Sequence, residues 1–82
     1  MKYRVTVFEK TQIIRQFEVV GFRSAVCSAM KLVVREVEMY VADLEDCELS
    51  MNYLTQQEWR CAVTDKDNVE IYGITVERSG RL

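Results

Sequence analysis

The sequence predicts an α+β domain of order ββαβββ, in which one amphipathic helix packs on one face of a mainly antiparallel sheet. Three observations lead to this fold class. Apolar and polar residues alternate at the start of the chain, apolar residues recur every three or four positions after Gly21, and alternation returns after residue 47. Strands grouped on either side of a single helix favour antiparallel pairing over parallel βαβ units.

The first two strands are predicted to form a hairpin. Residues 2–9 place Tyr3, Val5 and Val7 on one face, and residues 13–20 alternate in the same way. Only a short connection separates the two segments, so we expect them to pair antiparallel.

The helix is the clearest element in the sequence. Its apolar stripe comprises Phe22, Val26, Ala29, Met30, Val33, Val37, Tyr40 and Leu44. Ser24 is a plausible N-cap. Leu32 and Met39 fall between the stripe and the polar face, so they are either covered by the sheet edge or left exposed.

Three further strands are predicted after the helix. The first places Cys47, Leu49, Met51 and Tyr53 on one face, and the second alternates through Trp59, Cys61 and Val63. Residues 55–58 are expected to form a loop and residues 65–68 a turn. The last strand has an out-of-phase step that a bulge at Gly73 would repair, and residues 79–82 are expected to be a loose tail.

Length and composition predict one domain spanning residues 1–82. The 82 residues are 49% hydrophobic and 29% charged, which is too apolar for disorder, and no apolar run is long enough to span a membrane. The chain does not begin with the apolar stretch of a signal peptide. Three cysteines without CxxC spacing fit a reducing compartment, so we expect a cytoplasmic protein.

The residue types present do not predict catalysis. The chain has no histidine, the side chain that most readily exchanges protons near neutral pH. Three scattered cysteines make a poor zinc site, and the sequence after Asp65 lacks the glycine and glutamate of a calcium loop. We therefore expect a protein that is not an enzyme and uses no metal, cofactor or small-molecule substrate.

Charge is divided unequally along the chain. Residues 1–35 carry seven basic and two acidic residues, a balance of +5, whereas residues 36–82 carry four basic and eleven acidic residues, a balance of −7. Such asymmetry indicates a charged macromolecular partner.

Two surfaces are predicted to bind a protein or ribonucleoprotein assembly. The acidic corner comprises Glu36, Glu38, Asp43, Glu45, Asp46 and Glu48, and the helix face comprises Ser28, Lys31, Leu32, Arg35 and Met39.

Nucleic-acid binding is the alternative function. Lys2, Arg4 and Phe8 would lie on the outer face of the first strand, and Tyr72 would join them if it points outward. Basic and aromatic side chains on a sheet can hold a single-stranded nucleic acid by stacking and phosphate contacts. The net charge of −2 opposes this function. A homodimer through an open strand edge is compatible with either function.

In architecture and composition, the whole chain resembles the small phage-encoded inhibitor proteins, notably anti-CRISPR proteins. The shared features are small size, acidity, the lack of histidine and proline, and one helix on an antiparallel sheet. The resemblance rests on no motif, so it assigns no residue. It implies stoichiometric, non-enzymatic inhibition of a CRISPR effector in a bacterial host cell, at a surface that contacts nucleic acid. The basic first half departs from a pure nucleic-acid mimic and favours mixed-charge docking.

Overall fold

The residues described by the structure form one antiparallel sheet of five strands with a single helix packed on one face. The computed structural model describes residues 1–40 and 47–79, with side chains described outside residues 36–40. The elements are β1 (Lys2–Glu9), β2 (Gln12–Val20), α1 (Phe22–Tyr40), β3 (Glu48–Thr55), β4 (Glu58–Thr64) and β5 (Glu70–Arg78). The strands lie side by side in the order β2-β1-β5-β4-β3, each antiparallel to its neighbours. The predicted fold class and element order are confirmed.

The core lies between α1 and the face of the sheet that α1 covers, here called the inner face. Val5 lies opposite both Phe17 on β2 and Val76 on β5, and Cys61 on β4 lies opposite Ile74. Facing residues of antiparallel strands share a face, so their side chains form one layer beneath the helix. Among the residues whose side chains are described, the buried apolar ones are Tyr3, Val5, Val7, Ala25, Val26, Ala29, Leu32, Val33, Trp59, Cys61, Val63, Tyr72, Ile74 and Val76.

The helix begins earlier than predicted. Gly21 has a φ of 89°, and its carbonyl accepts a hydrogen bond of 3.0 Å from the Ala25 N–H. The Gly21 N–H donates to the Met1 carbonyl at 2.9 Å, which fixes the turn between β2 and α1. A positive φ suits glycine, because other residues meet a steric penalty there. Ser24 therefore lies inside the helix, and the N-cap predicted at this position is wrong.

The buried stripe of α1 is rotated relative to the predicted one. Met30 was expected in the stripe but is 39% exposed, whereas Leu32 is only 9% exposed. At 100° per residue, the buried positions are centred roughly 50° away from the predicted stripe. Ala25 and Ala29 are fully buried. Ala25, Ala29 and Leu32 lie on the same side of the helix, so the side that packs on the sheet includes Leu32 and excludes Met30.

The irregularity of β5 lies at Ile71 and not at Gly73. The pairing of β5 with β4 skips Ile71, while its pairing with β1 runs without a shift from Tyr72 to Arg78. Tyr72 therefore stays in phase with Ile74 on the inner face and is 1% exposed. The bulge predicted at Gly73 is wrong, because the extra residue, Ile71, comes two positions earlier, before Tyr72 enters the core.

Tight turns join the paired strands, and the loop predicted over residues 55–58 is shorter than expected, because Thr55 ends β3 and Glu58 begins β4. Lys10, with a φ of 58°, lies in the two-residue connection between β1 and β2. In the turn before β5, Asp65 Oδ1 accepts hydrogen bonds of 2.9 Å from the Asp67 and Val69 N–H groups. This side-chain pairing with local backbone is the reason that aspartate favours turns.

The residue after β5 is tied to the first strand. The Ser79 N–H donates to the Lys2 carbonyl at 3.2 Å. Ser79 therefore does not belong to a loose tail, and residues 80–82 of that prediction lie outside the described residues.

Candidate protein-interaction surface

The predicted acidic corner falls mostly outside the part of the chain that the structure describes. Asp43, Glu45 and Asp46 are not described, and the side chains of Glu36 and Glu38 are not described either. Glu48 is exposed at the start of β3. The role of the acidic corner stays a prediction.

Of the predicted helix face, the basic residues are exposed but the apolar residue Leu32 is not. Lys31 and Arg35 are exposed, and Ser28 is half-buried. Leu32 is buried against the sheet, so it offers no surface to a partner. The Met39 side chain lies outside the described residues.

An exposed apolar strip on α1 lies beside these basic residues. Met30 and Val34, one helical turn apart, are 39% and 68% exposed. Together with Lys31 and Arg35 they line a shallow depression of about 340 Å³. A second depression of about 300 Å³ extends from Met30 towards β3 and is lined in part by Phe22 and Tyr53. The two depressions share Met30, so they form a continuous surface along the helix.

The inner face of β3 continues this surface. Leu49, Met51 and Tyr53 lie opposite buried residues of β4, so they face the side of the sheet that carries the helix. Their shared face was predicted correctly. They are nevertheless exposed, and Tyr53 most of all at 64%, because α1 packs chiefly on β5, β1 and β2. The ring of Phe22, 6.1 Å from that of Tyr53, links the helix to β3.

We call the combined surface the docking face. Its apolar members are Met30, Val34, Leu49, Met51 and Tyr53, and its basic rim is Lys31 and Arg35. Residues 22–35 contain three basic residues and no acidic residue. Among the described residues, no salt bridge joins Lys31 or Arg35 to a carboxylate. The docking face therefore combines an apolar centre with a positive edge for which the described residues supply no salt-bridge partner.

The outer face of the sheet does not assemble the predicted nucleic-acid surface. Tyr72 points into the core, so the prediction that it joins this surface is wrong, and the reason is the register set by the bulge before it. Lys2 is exposed, and Arg4 and Phe8 are partly exposed. Arg4 lies opposite Glu18 on β2 and Glu77 on β5. These carboxylates offset its charge and oppose a phosphate backbone.

Polar side chains on the outer face of the sheet also pair with one another. The Arg60 guanidinium on β4 forms a salt bridge with the Glu70 carboxylate on β5. The Gln16 amide donates a hydrogen bond of 3.0 Å to the Thr6 hydroxyl. Polar groups of this face thus bind one another, which leaves fewer of them for a ligand.

The three cysteines are free thiols in different environments. Cys27 is exposed, Cys47 is half-buried and Cys61 is buried. Burial, aided by the nearby Glu70 carboxylate, raises the pKa of the Cys61 thiol from 9.0 to about 11. This thiol is therefore protonated at neutral pH and is a weak nucleophile. Within the described ranges, no three Cys, Asp or Glu side chains are grouped as metal ligands would be.

Sequence reasoning missed the two apolar residues on the exposed side of the helix. Met30 was assigned to the core, and Val34 was assigned to neither face. A signal was present, since Val34 lies four residues after Met30 on the same side of the helix, and Lys31 and Arg35 both lie on one flank of this strip. An aliphatic residue at such a position is typical of a second, weaker apolar strip.

Comparisons with protein-family models, with curated proteins and with solved structures give no match to the chain. Among the described residues, no helix has the length and apolar character needed to cross a membrane.

Proposed function

We propose that this protein is a non-catalytic protein-binding module, an inhibitor or adaptor that docks on a larger assembly. The observation that carries the proposal is the docking face. Scattered single apolar residues are normal on a protein surface, whereas several that adjoin one another commonly mark an interaction site. Here apolar side chains from two separate elements meet around Met30 and Tyr53.

The composition of the docking face fits an interface rather than a small-molecule site. Its depressions are shallow and lie on an open surface, and methionine and tyrosine are enriched in the centres of protein interfaces. Tyr53 offers a large ring at a low cost in side-chain entropy, so it is the expected anchor. Lys31 and Arg35 at the rim would steer an acidic partner and fix its orientation.

The partner chemistry follows from this arrangement. An apolar ridge bordered by carboxylates would place its apolar side chains on Met30 and Tyr53 and its acids beside Lys31 and Arg35. The acidic corner would meet a basic surface of the same assembly. This mixed-charge docking is the form in which the anti-CRISPR interpretation applies, with a CRISPR effector as the assembly.

The first experiment is affinity capture from a bacterial lysate treated with nuclease, read by mass spectrometry. We expect a stoichiometric protein partner that Met30→Asp and Tyr53→Ser each reduce by about tenfold or more. Val20→Asp is the matched control, because Val20 is 67% exposed on β2 at the opposite edge of the sheet. A partner retained equally by all three variants would contradict the proposal.

Two double charge-reversal variants test separately how much each of the two surfaces contributes to binding. Lys31→Glu with Arg35→Glu tests the basic rim, and Glu45→Lys with Asp46→Lys tests the acidic corner. Each pair should slow association and reduce its dependence on salt. The anti-CRISPR interpretation is tested separately, by adding the protein to purified effectors and measuring target cleavage. It is rejected if no effector is inhibited at a stoichiometric ratio.

Single-stranded nucleic-acid binding remains the alternative proposal for Lys2, Arg4 and Phe8. A labelled oligonucleotide titrated at low salt and again at high salt tests it. Phosphate contacts would weaken steeply as salt rises. No binding at low salt would eliminate this alternative.

A further inference from the structure

The free edge of β3 lacks the features that usually prevent strands from pairing with another chain. Within the described residues, β3 pairs only with β4, and all eight of its residues are exposed. Residues 49–55 contain no charged residue and no proline. Proteins commonly protect edge strands with charges, prolines or short length. At the other edge of the sheet, β2 carries Arg15 and Glu18.

The central residues of β3, 49–53, are complementary to themselves in an antiparallel register centred on Met51. A two-fold axis perpendicular to the sheet places the inner faces of both copies on the same side. Each inner-face residue of one β3 therefore pairs with an inner-face residue of the other, and each outer-face residue with an outer-face residue. With Met51 opposite Met51 of a second copy, Leu49 meets Tyr53 on the inner face and Ser50 meets Asn52 on the outer face. In these central pairs apolar residues face apolar residues and polar residues face polar ones, while Glu48 faces Leu54 at each end of the paired stretch. No like charges lie directly opposite each other.

We infer that the protein forms a two-fold homodimer by antiparallel pairing of β3 with β3 of a second copy, centred on Met51. The pairing joins two five-stranded sheets into one. It also places the apolar inner faces of both β3 strands side by side. This inference does not rest on the proposed function, since it concerns the backbone edge and holds whether or not the docking face binds another protein.

The area that β3 can bury against a second copy determines the expected affinity of the homodimer. In this register residues 48–54 of the two β3 strands overlap. These seven residues extend about 24 Å at ~3.4 Å each, and with a thickness of about 10 Å they bury on the order of 250 Å² per copy. A standard interface buries about 800 Å² per partner, so this dimer is weak and exchanges rapidly. We expect its population to rise between about 10 µM and about 1 mM.

Sedimentation equilibrium across that concentration range tests the inference, together with a charge swap at its centre. Met51→Lys and Met51→Glu each place two like charges opposite one another and should raise the dissociation constant by about tenfold or more. An equimolar mixture of the two variants should restore dimerisation. Asn52→Lys is the matched control, because its counterpart in this register is Ser50, so the two new lysines do not meet.

Cross-linking fixes the register in the same preparation. In a chain that also carries Cys27→Ser and Cys47→Ser, Met51→Cys brings two thiols opposite one another at a Cβ separation of about 5 Å, so oxidation should give a disulfide dimer. Ser50→Cys should not cross-link, because its counterpart is residue 52. A chain that remains monomeric to about 1 mM overturns the inference. A dimer that the Met51 variants and their mixture leave unchanged overturns it as well.

Discussion

Replacing Leu32 and Met30 one at a time with alanine tests the orientation of the helix, on which the docking face depends. Leu32 is 9% exposed, so Leu32→Ala loses the transfer free energy of a buried side chain and leaves a cavity. Such changes cost 2–5 kcal/mol, and we expect about 3 kcal/mol here. Met30 is 39% exposed, and solvent can fill the space that it leaves. Met30→Ala should cost about 1 kcal/mol or less.

Urea unfolding followed by circular dichroism measures both costs. A domain of this length has a free energy of unfolding of about 4–12 kcal/mol, so both variants are expected to remain measurable unless the protein lies at the low end. With a slope of about 1–1.5 kcal/mol per M, Leu32→Ala should lower the midpoint by roughly 2 M or more and Met30→Ala by less than 1 M. If Met30→Ala proves as costly as Leu32→Ala, the helix is oriented as the sequence stripe predicted, and the docking face is wrongly placed.

Three further predictions concern single residues. The pKa of the Cys61 thiol is about 11 in the folded protein and 9.0 in the unfolded chain, so between these pH values the unfolded chain binds fewer protons. The free energy of unfolding should therefore fall as pH rises from 9.0 to about 11. Cys61→Ala should remove this part of the pH dependence. Asp65→Ala removes the acceptor of two backbone hydrogen bonds and should cost about 1 kcal/mol in thermal or urea unfolding, whereas Asp65→Asn, which keeps an acceptor oxygen, should cost less. Gly21→Ala places a side chain on a residue with positive φ and should lower the free energy of unfolding by about 1–2 kcal/mol. Ser24→Ala should change it by less than about 0.5 kcal/mol. If the two variants are equally destabilised, Ser24 is the N-cap after all.

The candidate site was only partly predictable, and the helix shows why. Lys31 and Arg35 were assigned correctly to an exposed surface, because charged side chains at spacing of four rarely face a core. Leu32 was placed on the same surface, and its burial depends on which side of the helix packs on the sheet. Periodicity gives the width of an apolar stripe but fixes its centre only to within about half a residue step.

The exposure of β3 was beyond sequence reasoning for a different reason. Alternation correctly placed Leu49, Met51 and Tyr53 on one face, and the same pattern in β4 gave the fully buried Trp59 and Cys61. The two strands differ only in their position in the sheet. One helix cannot cover five strands, so the strand at the edge keeps its apolar face in contact with solvent.

The class of the fold, the order of its elements and the inner face of the first strand could be predicted, because they depend on local periodicity and on turn residues near in the chain. The strand order β2-β1-β5-β4-β3, the burial of Tyr72 and the rotation of α1 could not. Each of these depends on packing between residues far apart in sequence, where the fit of backbone and side-chain volumes selects one arrangement among several that share the same pattern.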